Sequence, residues 1–139
     1  MEVAVNYWAV LLATLSSMVV GSVWYMPKVF GNTWMRLARV DMDKVKKGSW
    51  TPIIGAVVLS ALTAYILAHV SFLAHQFFGN SFLYDSLSTA FWLWLGFGAA
   101  RLLTHQLFEM RSSKLHVINA AHEFVTIMLM GLIIGLMAP

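Results

Sequence analysis

The chain contains no cysteine. That excludes a disulfide framework, a thiolate metal site and a cysteine nucleophile. Charge is scarce as well: Asp, Glu, Lys and Arg make up 11% of the 139 residues, against about 25% in ordinary soluble domains. The formal net charge of +3 is small and confined to particular loops, which argues against a nucleic-acid partner. No Gly-rich loop follows a strand pattern, and nothing resembles a nucleophile elbow. Strict polar–apolar alternation is also missing, which sets aside a transmembrane barrel.

What is present is apolar. Hydrophobic residues reach 60%, against about 45–50% in soluble domains. A soluble chain this short has too little interior to hide that much apolar surface, so the expected solvent for most of it is lipid. Its length suits a single domain over residues 1–139, and no internal repeat or low-complexity tract divides it. The start, "MEVAVNYWAV", has an acid in place of a basic n-region and no clear small-residue cleavage site. It reads as a retained membrane helix rather than a signal peptide.

A bilayer core requires about 20 mostly apolar residues per helix. Stretches from roughly Val3 to Tyr25, Pro52 to Leu73, Asp85 to Phe108 and Leu115 to Met137 meet that length. The expectation is an all-α integral membrane protein, a four-transmembrane-helix bundle. Its direction follows from basic residues. The first connection carries Lys28, Arg36, Arg39, Lys44, Lys46 and Lys47, and the third carries Arg111 and Lys114. The second connection, "AHQFFGNSFLYD", has neither Lys nor Arg. The first and third connections should therefore face the cytoplasm, with both termini outward, in a multi-pass protein of the cell inner membrane. Tyr7, Trp8, Trp24, Tyr25, Trp50 and Tyr84 sit where interfacial anchors are expected. Pro27 should end the first span, because it cannot continue the hydrogen-bond ladder.

Within the first connection, "NTWMRLARV" can form a short amphipathic helix capped by Asn32 or Thr33, with Trp34, Leu37 and Val40 toward the acyl boundary. "DMDKVKKG" reads as a further helical turn, capped by Asp41 or Asp43 and stopped by Gly48. Its lysines are read as positive-inside topology in preference to a lipid- or partner-docking patch.

The polar exceptions concentrate in the last two spans. Arg101, His105 and Glu109 are spaced i, i+4, i+8, one stripe of the third helix. Asn119, His122, Glu123 and Thr126 share one face of the fourth. The short turn between these helices makes them antiparallel, and counting outward from Ser112 sets Arg101 level with Glu123 and His105 level with Asn119. An Arg near a helix centre costs about 2.5–3.5 kcal/mol on insertion scales, which a facing carboxylate would offset. Arg101–Glu123 is thus expected as an ion pair, with His105, His122 and Asn119 as hydrogen-bonding neighbours. Glu109 can instead reach the cytoplasmic rim and Arg111 or Lys114. The cluster reads as a binding site for protons or a small polar or anionic solute, ahead of the alternative that it only glues helices together.

Other chemistry is thin. "HEFVT" lacks the second histidine of a zinc-protease helix, and no Glu-x-x-His pair appears, so neither metal nor cofactor is expected. Gly21, Gly55, Gly96, Gly98, Gly131 and Gly135 read as helix-packing positions. Trp92 and Trp94 lie on different faces, one for the bundle and one for lipid or a neighbouring subunit. His69 and His75 receive no role.

The runs "VWYMPKVFGNTW" and "LGFGAARLLTHQLFEMRSSKLHVINAAHEF" resemble a group of small bacterial membrane proteins, domain of unknown function 1761. Trp24-Tyr25-x-Pro27 with Gly31 and Trp34, Leu95-Gly96-Phe97, Phe108-Glu109-x-Arg111, and Lys114-Leu115 with Ile118-Asn119 and His122 carry the likeness. The chain departs from the group's pattern at Met110, where Gly is usual, and at Ala121, where an aromatic is common. The resemblance implies four spans and no particular activity. Three functions compete: a small, oligomeric channel or transporter, which the buried cluster favours; an accessory subunit of a larger membrane complex; and a membrane enzyme acting on lipid or quinone. Lipid and either a homo-oligomer or a larger membrane complex are the expected partners, and enzymatic chemistry is disfavoured.

Overall fold

The computed structural model describes residues 2–40, 48, 50–110 and 112–139, and every regular element among them is helical. In chain order these are α1 (Tyr7–Trp24), a π-helical turn (Pro27–Gly31), α2 (Asn32–Ala38), α3 (Thr51–Phe78), α4 (Phe82–Leu93), a second π-helical turn (Trp94–Ala99), α5 (Ala100–Glu109) and α6 (Ser113–Leu136). Three of them, α1, α3 and α6, are long and apolar enough to cross a membrane. The third expected span is helical from Phe82 to Glu109, but in three pieces.

Local chemistry sets the boundaries. Asn6 caps α1, its Oδ1 accepting the amides of Trp8 at 3.1 Å and Ala9 at 3.2 Å. Its Nδ2 donates to the Met137 carbonyl at 3.0 Å, tying the start of α1 to the end of α6. α3 runs past the expected Leu73 to Phe78, where Gly79 turns left-handed at φ 69° and ends it. Neither Asn32 nor Thr33 caps α2, contrary to expectation. The π turn begun at Pro27 delivers the chain already helical, so Gly31 stands at the N-cap position with no side-chain cap. The expected turn at "DMDKVKKG", with its caps Asp41 and Asp43, falls on residues 41–47, outside those described.

The four long segments pack in a ring. α1 touches α3 and α6, α4 touches the same two, and α3 meets α6 only weakly across the diagonal. The core lies toward the end that carries Asn6 and Met137: Ala9, Ala13, Ala64, Leu67, Ala68, Ala90, Met130 and Ile134 are buried together. Most of these are alanine, and small side chains let helices approach closely where lipid outside is as apolar as the interface. Gly131 and Gly135 extend that principle. A Cβ at Gly131 would stand 2.8 Å from Cβ of Ala90, and one at Gly135 would stand 2.8 Å from Cα of Leu83. These two glycines let α6 lie directly on α4. The opposite end is loose. Nothing in α3 from Thr51 to Thr63 is buried, and neither is any residue of α5.

Candidate functional site

The polar face of α6 turns toward α1 and α2, not toward the Arg101 stripe. Oδ1 of Asn119 accepts the indole N–H of Trp34 at 3.0 Å and the phenol of Tyr25 at 3.3 Å. The imidazole of His122 lies with ring centroids 5.0 Å from Tyr25 and 6.1 Å from Trp24. It lies against Gly21 of α1, where an added Cβ would stand 3.6 Å from His122 Nε2, an ordinary van der Waals distance. On its other side, Nδ1 stands 3.5 Å from Oε1 of Glu123, a long contact. The His122 side chain is 15% exposed and that of Glu123 56%.

The first π turn builds this patch. Pro27 opens it, and the amide of Gly31 reaches back to the Met26 carbonyl at 2.9 Å. A side chain at Gly31 would collide with the carbonyl oxygen of Tyr25. This tight fold returns α2 against α6 and brings Trp34 to Asn119. The sequence pattern puts Trp34 at the acyl boundary, but it packs on α6, and Trp24 and Tyr25, read as interfacial anchors, pack there as well. Sequence reasoning therefore missed half of the site. The available signal was the density of aromatic, Pro and Gly residues in "WYMPKVFGNTW".

The expected Arg101–Glu123 pair is not formed: the two groups do not approach within ion-pair distance, and Arg101 and His105 are exposed. The cause is the second π turn. A π turn holds about one residue more than an α turn, so the helix beyond it is rotated by about 100° relative to an uninterrupted one. The inward positions of α5 are accordingly Leu102 and Gln106, each one residue beyond Arg101 and His105. Gln106 Nε2 donates to Ser113 Oγ at 3.0 Å, across the turn. Glu109 is exposed, and Arg111, its expected neighbour, lies outside the described residues. Trp94 spans the π turn, with Nε1 donating to the Ala120 carbonyl at 3.0 Å and its ring against Phe124, while Trp92 faces outward.

Beside the patch the loose end of the bundle forms an open cavity of about 1100 Å³. Ser17 to Tyr25 of α1 line it on one side and Pro52 to Leu67 of α3 on another. Trp94 and Phe97 of the π turn and His122 to Met130 of α6 complete the wall. Its floor is the core itself, since Leu67 and Met130 line the cavity and are each 1% exposed. The lining is mainly apolar, and its polar groups include Tyr25, His122 and Glu123. Thr126 also faces it, with a buried hydroxyl lacking a partner. Among the described residues, no group of three His, Asp or Glu side chains is placed to hold a metal ion.

A second polar cluster was missed at the other end. Asp85 is buried at the start of α4, where its oxygens meet His75 Nδ1 at 3.1 Å and Asn80 Nδ2 at 2.9 Å. Those contacts cross the α3–α4 turn and fix its geometry, which gives His75 a structural role.

The description "protein of unknown function (DUF1761)" belongs to a family whose model matches residues 8–135. The chain belongs to that family. No curated protein and no solved structure matches it. The residues that carry the DUF1761 resemblance acquire physical roles here. Pro27 and Gly31 shape the first π turn, Tyr25 and Trp34 share Asn119, and His122 packs on Trp24 and Tyr25.

Proposed function

We propose that this DUF1761 chain is a four-span transporter of the inner membrane, N-out and C-out, that takes a small amphipathic molecule into the cavity of its cytoplasmic end. The observation that carries this reading is a roomy cavity, about 1100 Å³, floored by close-packed core residues. A recess closed toward the core and open away from it supports access from one end, as alternating access requires at one stage of its cycle. A mainly apolar wall with Tyr25, His122 and Glu123 among its polar groups suits a solute that is part apolar and part polar. It suits a proton or a small inorganic anion less well. Support for a fourth span comes from the run Phe82–Glu109, which matches α3 in length. Support for the direction comes from the basic residues of the first and third connections.

Native mass spectrometry of the protein released from membranes tests the reading. Wild type should retain a small molecule that Ala56→Trp, which fills the cavity from α3, does not. Identical spectra for the two would remove its basis.

A different observation favours a second reading, in which the chain works as a homo-oligomer or within a larger membrane complex. α5 presents Arg101 and His105 on an exposed face, and charged groups at membrane depth usually find a protein partner. The same spectra report subunit number.

A further inference from the structure

We infer that the occupant of the cavity is a lipophilic cation, an apolar body bearing an amine or other onium charge. The inference rests on the cavity reading above and adds the sign of the charge. Among the described lining residues Glu123 is the one formally charged side chain. The described basic residues Lys28, Arg36, Arg39, Arg101 and Lys114 do not line the cavity. Glu123 is more than half exposed, and its ion-pair contact among the described residues is the long 3.5 Å approach to His122, so its carboxylate has acceptor capacity to spare. An anion entering this space would meet that carboxylate with no described cation to offset it. A cation entering would exchange its hydration for a carboxylate and for aromatic faces.

The aromatic faces form the second, independent part of the pattern. Tyr25, Trp94 and Phe97 all line the cavity, from α1 and from the π turn. The negative face of an aromatic ring attracts a cation, and most strongly when water is displaced. Val57, Ile66 and, at the buried floor, Met130 supply apolar surface for the body of the molecule. The arrangement thus separates one anionic site from a hydrophobic chamber, as an amphiphilic cation requires. This differs from the proton or small polar or anionic solute expected from the Arg101 stripe, because the π turn carries Arg101 away while leaving Glu123 at the cavity.

Tetraphenylphosphonium and tetraphenylborate carry the same four phenyl groups and opposite charges, so they separate charge from size. The full-length protein in neutral detergent is titrated with each by isothermal calorimetry. Each signal is referenced to Ala56→Trp to remove partition into the micelle. Phosphonium should bind wild type at least tenfold more tightly than borate. Glu123→Gln should weaken phosphonium by about tenfold, the scale of one partly screened charge–charge contact, and Glu123→Asp should keep the preference. Borate binding equal to phosphonium, or a Glu123→Gln protein that melts like wild type and keeps full phosphonium affinity, overturns the cation and leaves the cavity reading standing. Neither ion distinguishing wild type from Ala56→Trp overturns both.

Discussion

Trp34 donates its indole N–H to Oδ1 of Asn119 at 3.0 Å, across 85 residues of sequence. The same oxygen takes the Tyr25 phenol, so one amide holds both the end of α1 and the whole of α2 to α6. Asn119→Ala should leave two partly buried donors without their acceptor and cost about 1–3 kcal/mol. Trp34→Phe should cost less alone and almost nothing in the Asn119→Ala background. Thermal unfolding of the four proteins in detergent measures the cycle, and additive effects would mean that the bond contributes nothing.

Gly31 is the position where the first π turn leaves no room for a side chain. Gly31→Ala should detach α2 from α6 without unfolding the bundle, because the core lies at the other end. A cysteine at Met35 would then react faster with a soluble maleimide. An unchanged rate would show that the turn absorbs the methyl group.

The two glycines on α6 should differ from one on α3. Gly131→Val would press on Ala90 and cost about 1–3 kcal/mol by overpacking. Gly55→Ala meets nothing within 4 Å in mid-helix and should instead stabilise by about 0.4–1 kcal/mol. Melting temperatures that shift in the same direction for both would contradict the packing described.

Arg101 and Glu123 should behave as strangers. Arg101 is exposed and forms no ion pair with Glu123, so the loss in Arg101→Ala, Glu123→Ala double variants should equal the sum of the single losses within about 0.5 kcal/mol. Coupling well beyond that would restore the pair that antiparallel counting suggests.

Orientation is tested at exposed ends of the bundle. Single cysteines replacing Lys28 and Asn80 should label from opposite faces of the membrane with an impermeant reagent, Asn80 from outside. Labelling of both from outside would mean that α3 does not cross the membrane between them.

Much of the fold was legible because length and hydropathy report on single helices. The spans around α1, α3 and α6 match their expected positions. The largest differences fall at the start of α1 and the end of α3, where Asn6 and Gly79 set the boundary in place of the hydropathy limit. The polar face of α6 was legible for the same reason, as it needs only helical periodicity. What faces it was not. Partner choice depends on the rotation of each neighbouring helix about its axis, and the π turns change that rotation with no loss of helical character. Gly96 and Gly98 are visible in the sequence, but glycine in an apolar helix signals close packing as readily as a widened turn. Trp34 was misplaced similarly: an amphipathic segment gives the same pattern against lipid as against another helix.

The second π turn has an evolutionary corollary. In most helices a lost residue shortens the element or shifts a loop. Removing Gly96 would instead return the segment to an α-helical count and leave Leu102 and Gln106 facing inward, because the π turn is the place where the extra residue is absorbed. Within this architecture the second π turn lets the chain gain or lose one residue in mid-helix while α5 keeps the same side chains toward its neighbours.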